Sequence, residues 1–242
     1  ISLRDNFDEN FPILTGKGQE KTHLILILSS DRGLCGGLNS STVRFAKKRI
    51  AQLESEGKNV KINCIGKKAY EQLKASFDSK VIAKNFGIFK ENITYETATK
   101  FAEEVVQQYN DNQYDVCEVI YSKFKSAISQ EPVNKRLIPA QIEIDSESKK
   151  EKAANDFEMP IEYEPGQEEV LDKLLPRYVA MQIFNELLEN SASEQGARMA
   201  AMESATNNAG KMIKNLTLVY NRTRQANITR ELIDIISGAN AV

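Results

Sequence analysis

The chain has 242 residues, with 32 basic and 34 acidic side chains and a formal net charge of −2 at pH 7. That length allows one or two domains, and the slightly acidic balance argues against a nucleic-acid binder held by phosphate contacts. Cys35, Cys64 and Cys117 lie in three separate segments with no metal-ligand spacing, which reads as reduced, buried thiols, and no run is long and apolar enough for a membrane span.

The first part of the chain alternates strand and helix. Residues 23–30, HLILILSS, form the continuous apolar run of an inner strand covered on both faces. A glycine-rich turn over Asp31–Asn39 follows, with Gly33, Gly36 and Gly37. Ser40 or Ser41 is placed to cap a helix that aligns Val43, Ala46, Ile50 and Leu53. Residues 60–65 predict a second strand, Ala69–Leu73 a short helix, and 80–89 a third, shorter strand. Phe101, Ala102, Val105, Val106 and Tyr109 form the buried stripe of a further helix. Val116–Ser122 reads as a strand, and Lys135–Ile144 as an alternating one nearer the edge. The pattern is that of a Rossmann-like α/β domain with a mostly parallel or mixed sheet. Residues 145–158 predict a charged, mobile loop, and 159–164 one more strand-like piece. Pro165 and Gly166 then break the chain, so the expected division is an α/β domain over 1–166 and a helical stalk over 167–242.

That stalk is the dominant feature of the chain. Pro176 is its last proline, and from Arg177 to about Ile236 only Gly196 and Gly210 interrupt good helix formers. Such a helix would be roughly 90 Å long, too long for a domain of this size to bury. Met202, Ala205, Ala209, Met212, Leu216, Val219, Thr223, Ala226, Arg230 and Ile233 recur at steps of mostly three and four, the spacing of a coiled-coil seam. The seam is thin, and Lys211, Lys214, Arg222 and Arg224 beside it make the rod basic. A mechanical or organisational role fits better than an enzymatic one.

The chemistry-bearing residues are few. SDRGLCGGLNS, residues 30–40, occupies the place of a phosphate loop, after a buried strand and before a helix, but matches neither dinucleotide nor P-loop spacing. We read it as a structural or partner-contacting loop in which Asp31 and Arg32 pair locally and Gly33, Gly36 and Gly37 permit tight packing. His23, the single histidine, stands at the entry to an apolar strand and reads as structural. Cys35 has no local base to activate it. We expect no catalytic residue, no metal site and no cofactor. An α/β small-ligand enzyme with a coiled-coil oligomerisation arm is the alternative, resting on the strand–glycine–helix unit; a non-rotating adaptor is a third reading.

Residues 228–241, ITRELIDIISGANA, resemble the signature of the gamma subunit of F-type ATP synthases. NRTRQA at 221–226, ASEQGARMAAMESATNNAG at 192–210, LLPRYV at 174–179 and SDRGLCGGLNS at 30–40 resemble further landmarks of that family, in order over nearly the whole chain. Family members begin with a long helix that pairs antiparallel with the C-terminal one. This chain starts after it, so the seam is expected to face that helix.

The resemblance implies a central rotor stalk. Its rod would enter a hexamer of alpha and beta subunits, and its α/β domain would hold the small stalk subunit (epsilon or delta) and stand on the c-ring. Proton-driven rotation would cycle the beta subunits through ATP synthesis. Arg224 and Gln225 would touch a beta-subunit catch loop. Thr229, Glu231 and the tip from Ile236 would sit in an apolar collar, Arg198 and Met202 lower on the shaft, and Tyr163 and Glu164 at the c-ring foot. The protein would be peripheral to an energy-transducing membrane, on the cytoplasmic face in bacteria or the matrix face in mitochondria.

Overall fold

In a computed structural model, which describes residues 11–89, 93–140 and 167–239, a short helix α1 (Pro12–Thr15) leads into β1 (Thr22–Leu28). There follow α2 (Leu38–Ser55), β2 (Asn59–Ile65), α3 (Lys67–Phe77), β3 (Val81–Asn85), α4 (Tyr95–Asn110), β4 (Val116–Phe124), β5 (Gln130–Ile138) and α5 (Gln167–Ala239). The strands form one sheet in the order β3-β2-β1-β4-β5. β1 pairs in parallel with β2 and β4, β2 in parallel with β3, and β5 runs antiparallel along β4. The order reverses at β1, as in doubly wound folds, and β5 is an edge strand as its alternation foretold.

Successive residues of β1 point to opposite faces, and each face buries its own core. Ile25 and Ile27 join Val43, Ile50 and Leu53 of α2 and Leu73 of α3 on one side. Leu24, Leu26 and Leu28 join Phe101, Val105 and Tyr109 of α4 on the other. The second face also takes Leu175, Val179, Ile183 and Leu187 of α5. The continuous apolar run at 24–28 thus has the two-sided burial it required.

Several boundaries differ from the sequence-based expectation. α2 begins at Leu38 with Gly37 at its N-cap, and neither serine caps it; the Ser41 hydroxyl turns back to the Leu38 carbonyl at 2.8 Å. β3 is five residues long because a 3-10 turn at Asp78–Lys80 delays it and Gly87 turns the chain away at φ +91. β5 starts at Gln130, since residues 125–129 make a tight reversal out of β4. The expected loop at 145–158 and strand-like piece at 159–164 lie outside the described residues.

α5 runs unbroken for 73 residues, about 110 Å at the α-helical rise. It passes through Pro176, which forfeits one backbone hydrogen bond; burial of Leu175 and Val179 on either side holds the helix together there. The helix is also less of a free rod than its length suggested. Up to Ala197 one stripe is buried on the α/β domain, and beyond Arg198 its side chains are at least partly exposed throughout.

Candidate functional site

The glycine-rich loop occupies the carboxyl end of β1, beside that of β4. In open α/β sheets this reversal point opens the crevice that takes ligands. Here the loop is tied down from within. The Asp31 carboxylate accepts the backbone N–H of Lys67 at 3.2 Å and of Gly87 at 3.0 Å, so it sits at the positive end of α3 and does not pair with Arg32. Asn39 accepts the Ser30 N–H at 3.0 Å and donates to the Ser30 hydroxyl at 2.7 Å and the Cys35 sulfur at 3.1 Å. The glycines are not tightly packed either. A Cβ on Gly33, Gly36 or Gly37 would meet nothing within 4 Å, and only Gly36, at φ +57, has a backbone conformation that demands glycine. Arg32 and Leu34 are exposed.

α5 itself crosses the crevice. Ala197 packs against Cys35 and Leu38. An open groove of about 450 Å³ remains between Cys35–Leu38, the β4–β5 reversal at Ile128–Gln130 and Ala197, Ala200 and Ala201 of the helix. The helix therefore forms one wall of the place where a doubly wound enzyme would seat its ligand. Among the described residues no group of three or more His, Cys, Asp or Glu side chains is arranged to hold a metal.

Buried ionisable groups lie deeper. His23 is buried, with Nδ1 3.2 Å from Glu118 Oε1. Glu118 also accepts from Arg49 Nε at 2.9 Å and Nη2 at 2.6 Å, and from Asn134 Nδ2 at 2.6 Å. Burial pushes this carboxyl's pKa up, but the bonds from His23, Arg49 and Asn134 outweigh it and hold the group at about 2. The quartet ties α2, β1, β4 and β5 together. His23 is thus structural, and its partner Glu118 carries no sequence signal beyond a charged residue inside an apolar strand. Desolvation raises the Cys64 thiol to about 12 and moves Cys117 in the same direction, so neither is a nucleophile at neutral pH.

The proposed partner-contact residues are strung along the outer part of α5. Arg198 lies at the exit, where its guanidinium pairs with Glu194 and donates to Gln195 Oε1 at 2.8 Å. Met202 is exposed one turn further on. Arg224, Gln225, Thr229, Glu231 and Ile236 are all exposed, and the Thr229 hydroxyl bonds back to the Gln225 carbonyl at 2.9 Å. At helical spacing Gln225, Thr229 and Ile236 share one stripe and Arg224 and Glu231 the neighbouring one. From Arg198 to Ile236 the helix rises about 57 Å, so these residues form a track and not one pocket. Ile228, Leu232, Ile233, Ile235 and Ile236 leave the last turns apolar around much of their circumference and open to solvent, the mark of a surface that a partner covers. Tyr163 and Glu164 lie outside the described residues.

A doubly wound foot whose crevice is crossed by one long projecting helix defines a stalk protein. The ATP synthase family model matches residues 2–242. Gamma chains of ATP synthase from Rhodopseudomonas palustris (strain BisB5) and Rhizobium johnstonii are 46% and 45% identical over 230 residues, 95% of this chain and 77% of theirs. Among solved structures, a chain of the Tetrahymena thermophila mitochondrial ATP synthase central stalk and c-ring matches with a TM-score of 0.63 at 29% identity, covering 85% of each chain. One from the Euglena gracilis mitochondrial enzyme shares the fold with a TM-score of 0.66 at 21% identity, over 99% of this chain and 82% of that one. The chain belongs to the gamma family of F-type ATP synthases, whose members form the central stalk.

Proposed function

We propose that this chain turns as the central stalk between a membrane c-ring and a hexamer of alpha and beta subunits, and that the exposed half of α5 is the shaft inside the hexamer. The observation that carries this reading is the rod itself: more than forty residues of helix after Arg198 that the described chain leaves uncovered, ending in an apolar tip. A helix of that kind has little reason to persist alone in water, whereas a sleeve of partner subunits would cover it. Residues 1–166 form the foot in this reading and 167–242 the stalk, with the helix docked on the foot up to Ala197. Arg224 and Gln225 offer a charged fork and an amide to a beta-subunit loop, and Thr229, Glu231 and Ile236 face the collar. Tyr163 and Glu164 belong to the end that meets the c-ring loops, where the foot also carries the small epsilon or delta subunit. No helix of the described residues is long and apolar enough to cross a membrane, consistent with a subunit peripheral to the bilayer on its cytoplasmic or matrix face. Bond chemistry then belongs to the hexamer, and this chain supplies the asymmetry that drives it. The test is purification of the full-length protein from native membranes under mild conditions, with mass spectrometry and ATPase assay of the eluate. One ATP-hydrolysing particle containing alpha, beta and c subunits is the expected result; a lone protein would overturn the reading.

A further inference from the structure

A stalk must turn as one body, yet its shaft and its sheet are separate elements that meet along a single helix face. Most of that face is apolar: Leu175, Val179, Ile183 and Leu187 pack on α4 and the sheet. Apolar packing is non-directional and resists rolling only through its shape. Lys135 of β5 adds bonds to Gln182 and Glu186 at 2.7 Å each, from a side chain that is 40% exposed. At the exit the polar contact is fully buried and reaches the strand backbone. Opposite Ser122 in β5 stands Pro132, which has no N–H to offer, and the pairing of β4 with β1 ends at Ile120. Two residues of α5 engage the Ser122 backbone. Asn190 Oδ1 accepts the Ser122 N–H at 3.4 Å, and the Ser193 hydroxyl donates to the Ser122 carbonyl at 2.7 Å. The Ser122 hydroxyl meets Thr42 Oγ1 of α2 at 2.9 Å, which carries the connection to the far side of the sheet. Asn190, Ser193 and Ser122 are all at most 1% exposed. One turn on, Gly196 lies so close to the end of β4 that an added Cβ would come within 3.1 Å of the Phe124 ring and 3.2 Å of Ala127. The last buried residue of the helix is Ala197, and the free shaft starts there.

We infer that Asn190 and Ser193, seated on the Ser122 backbone, form the joint that transmits torque between the foot and the shaft. The joint rests on the central-stalk reading. Its bonds are directional, and burial of all three residues limits the access of solvent that would replace them while the helix rolls. A roll of α5 would orphan a buried amide and a buried carbonyl together with both side chains. The asparagine and serine are therefore positioning residues for rotation; they touch no substrate.

The test uses the assembled complex, fixed by its hexamer, with a gold rod attached to the foot at Lys74→Cys. Lys74 is exposed on α3 and all three native cysteines of this chain are buried, so within it the new thiol is the accessible one, and the unsubstituted complex serves as the labelling blank. With rotation paused, the angular variance of the rod reports torsional compliance. Asn190→Ala combined with Ser193→Ala should raise that variance about twofold, since two buried directional bonds are lost. ATP hydrolysis by the hexamer should stay unchanged, because the upper shaft is intact. Ser193→Ala alone, a milder change that favours helix, should give an intermediate increase, and it decides the matter should the double variant fail to assemble. Glu203→Ala, on the exposed shaft, should leave the variance where it was. Unaltered variance in an assembled Ser193→Ala complex and in any assembled double variant would overturn the joint. Absence of ATP-driven rotation in the unsubstituted complex would instead overturn the stalk reading, and the joint with it.

Discussion

Glu118 holds its charge where almost no water reaches it, because Arg49, His23 and Asn134 occupy its oxygens. Its folded pKa of about 2 lies below the ordinary carboxylate value of 4.5, so the charged form stabilises the fold. That contribution is complete above about pH 4.5 and is lost as pH falls towards 2, and the shift corresponds to about 3 kcal/mol. Urea midpoints between pH 7 and pH 2.5 should show this loss in the unsubstituted protein. Glu118→Gln should be less stable at pH 7 and have a flatter pH dependence; parallel curves would refute the assignment. Gly66 makes a second residue-scale case. It has φ +97, and a Cβ there would stand 2.2 Å from the Ser29 carbonyl oxygen, at the point where β2 hands over to α3. Gly66→Ala should cost about 2 kcal/mol or more, from backbone strain and the clash together. A midpoint within error of the parent protein would show that the backbone relaxes freely. Neither residue was singled out by sequence reasoning, since the need for each is set by a group far away along the chain.

At the scale of elements, α5 is two structures in one helix. Residues up to Ala197 behave as a core helix, with Tyr95 of α4 meeting Phe184 edge-on at 5.8 Å and Lys135 of β5 reaching Gln182 and Glu186 at 2.7 Å each. Among the described residues, the outer stretch has only its neighbours along the helix to hold it. Periodicity identified the helix, because helix formation is written in local spacing. It did not divide the docked stretch from the free one, because an apolar stripe reads alike whether it faces a sheet or a partner chain. Leu216→Pro should break the outer segment, as it removes a helix hydrogen bond and clashes with the preceding turn. The foot should stay folded, so near-ultraviolet circular dichroism of the isolated chain should barely change while coupled ATP synthesis in the complex collapses. Native coupling in that variant would argue against a continuous shaft.

At the largest scale, the informative quantity is how much apolar helix the described residues leave without cover. A thin, basic seam and an apolar tip suit a shaft that touches its sleeve without being locked to it. Replacing Arg224 and Gln225 together with alanine should leave the foot folded and weaken assembly with the hexamer or torque transfer, at about 2 kcal/mol for the loss of charge-assisted bonds. The check is ATP synthesis and subunit recovery in membranes carrying the variant. Unchanged values in both would remove these two residues from the contact track.

By itself the sequence determined the order of strands and helices, the great length of the terminal helix and the family motifs that place this chain among ATP synthase gamma subunits. These are properties of spacing, turn chemistry and local composition, which act over a few residues. Only the tertiary structure decided that Asp31 serves α3 and Gly87 and does not pair with Arg32, and that Ser122 is held by the shaft. It also decided that the long helix crosses the ligand crevice of the α/β fold, with Ala197 against Cys35 and Leu38. The hydrogen bonds among them join groups 36 to 71 positions apart, and the crevice contact joins Cys35 to Ala197. Which of them meet depends on how the sheet twists and where the long helix crosses it, and no local pattern carries that information.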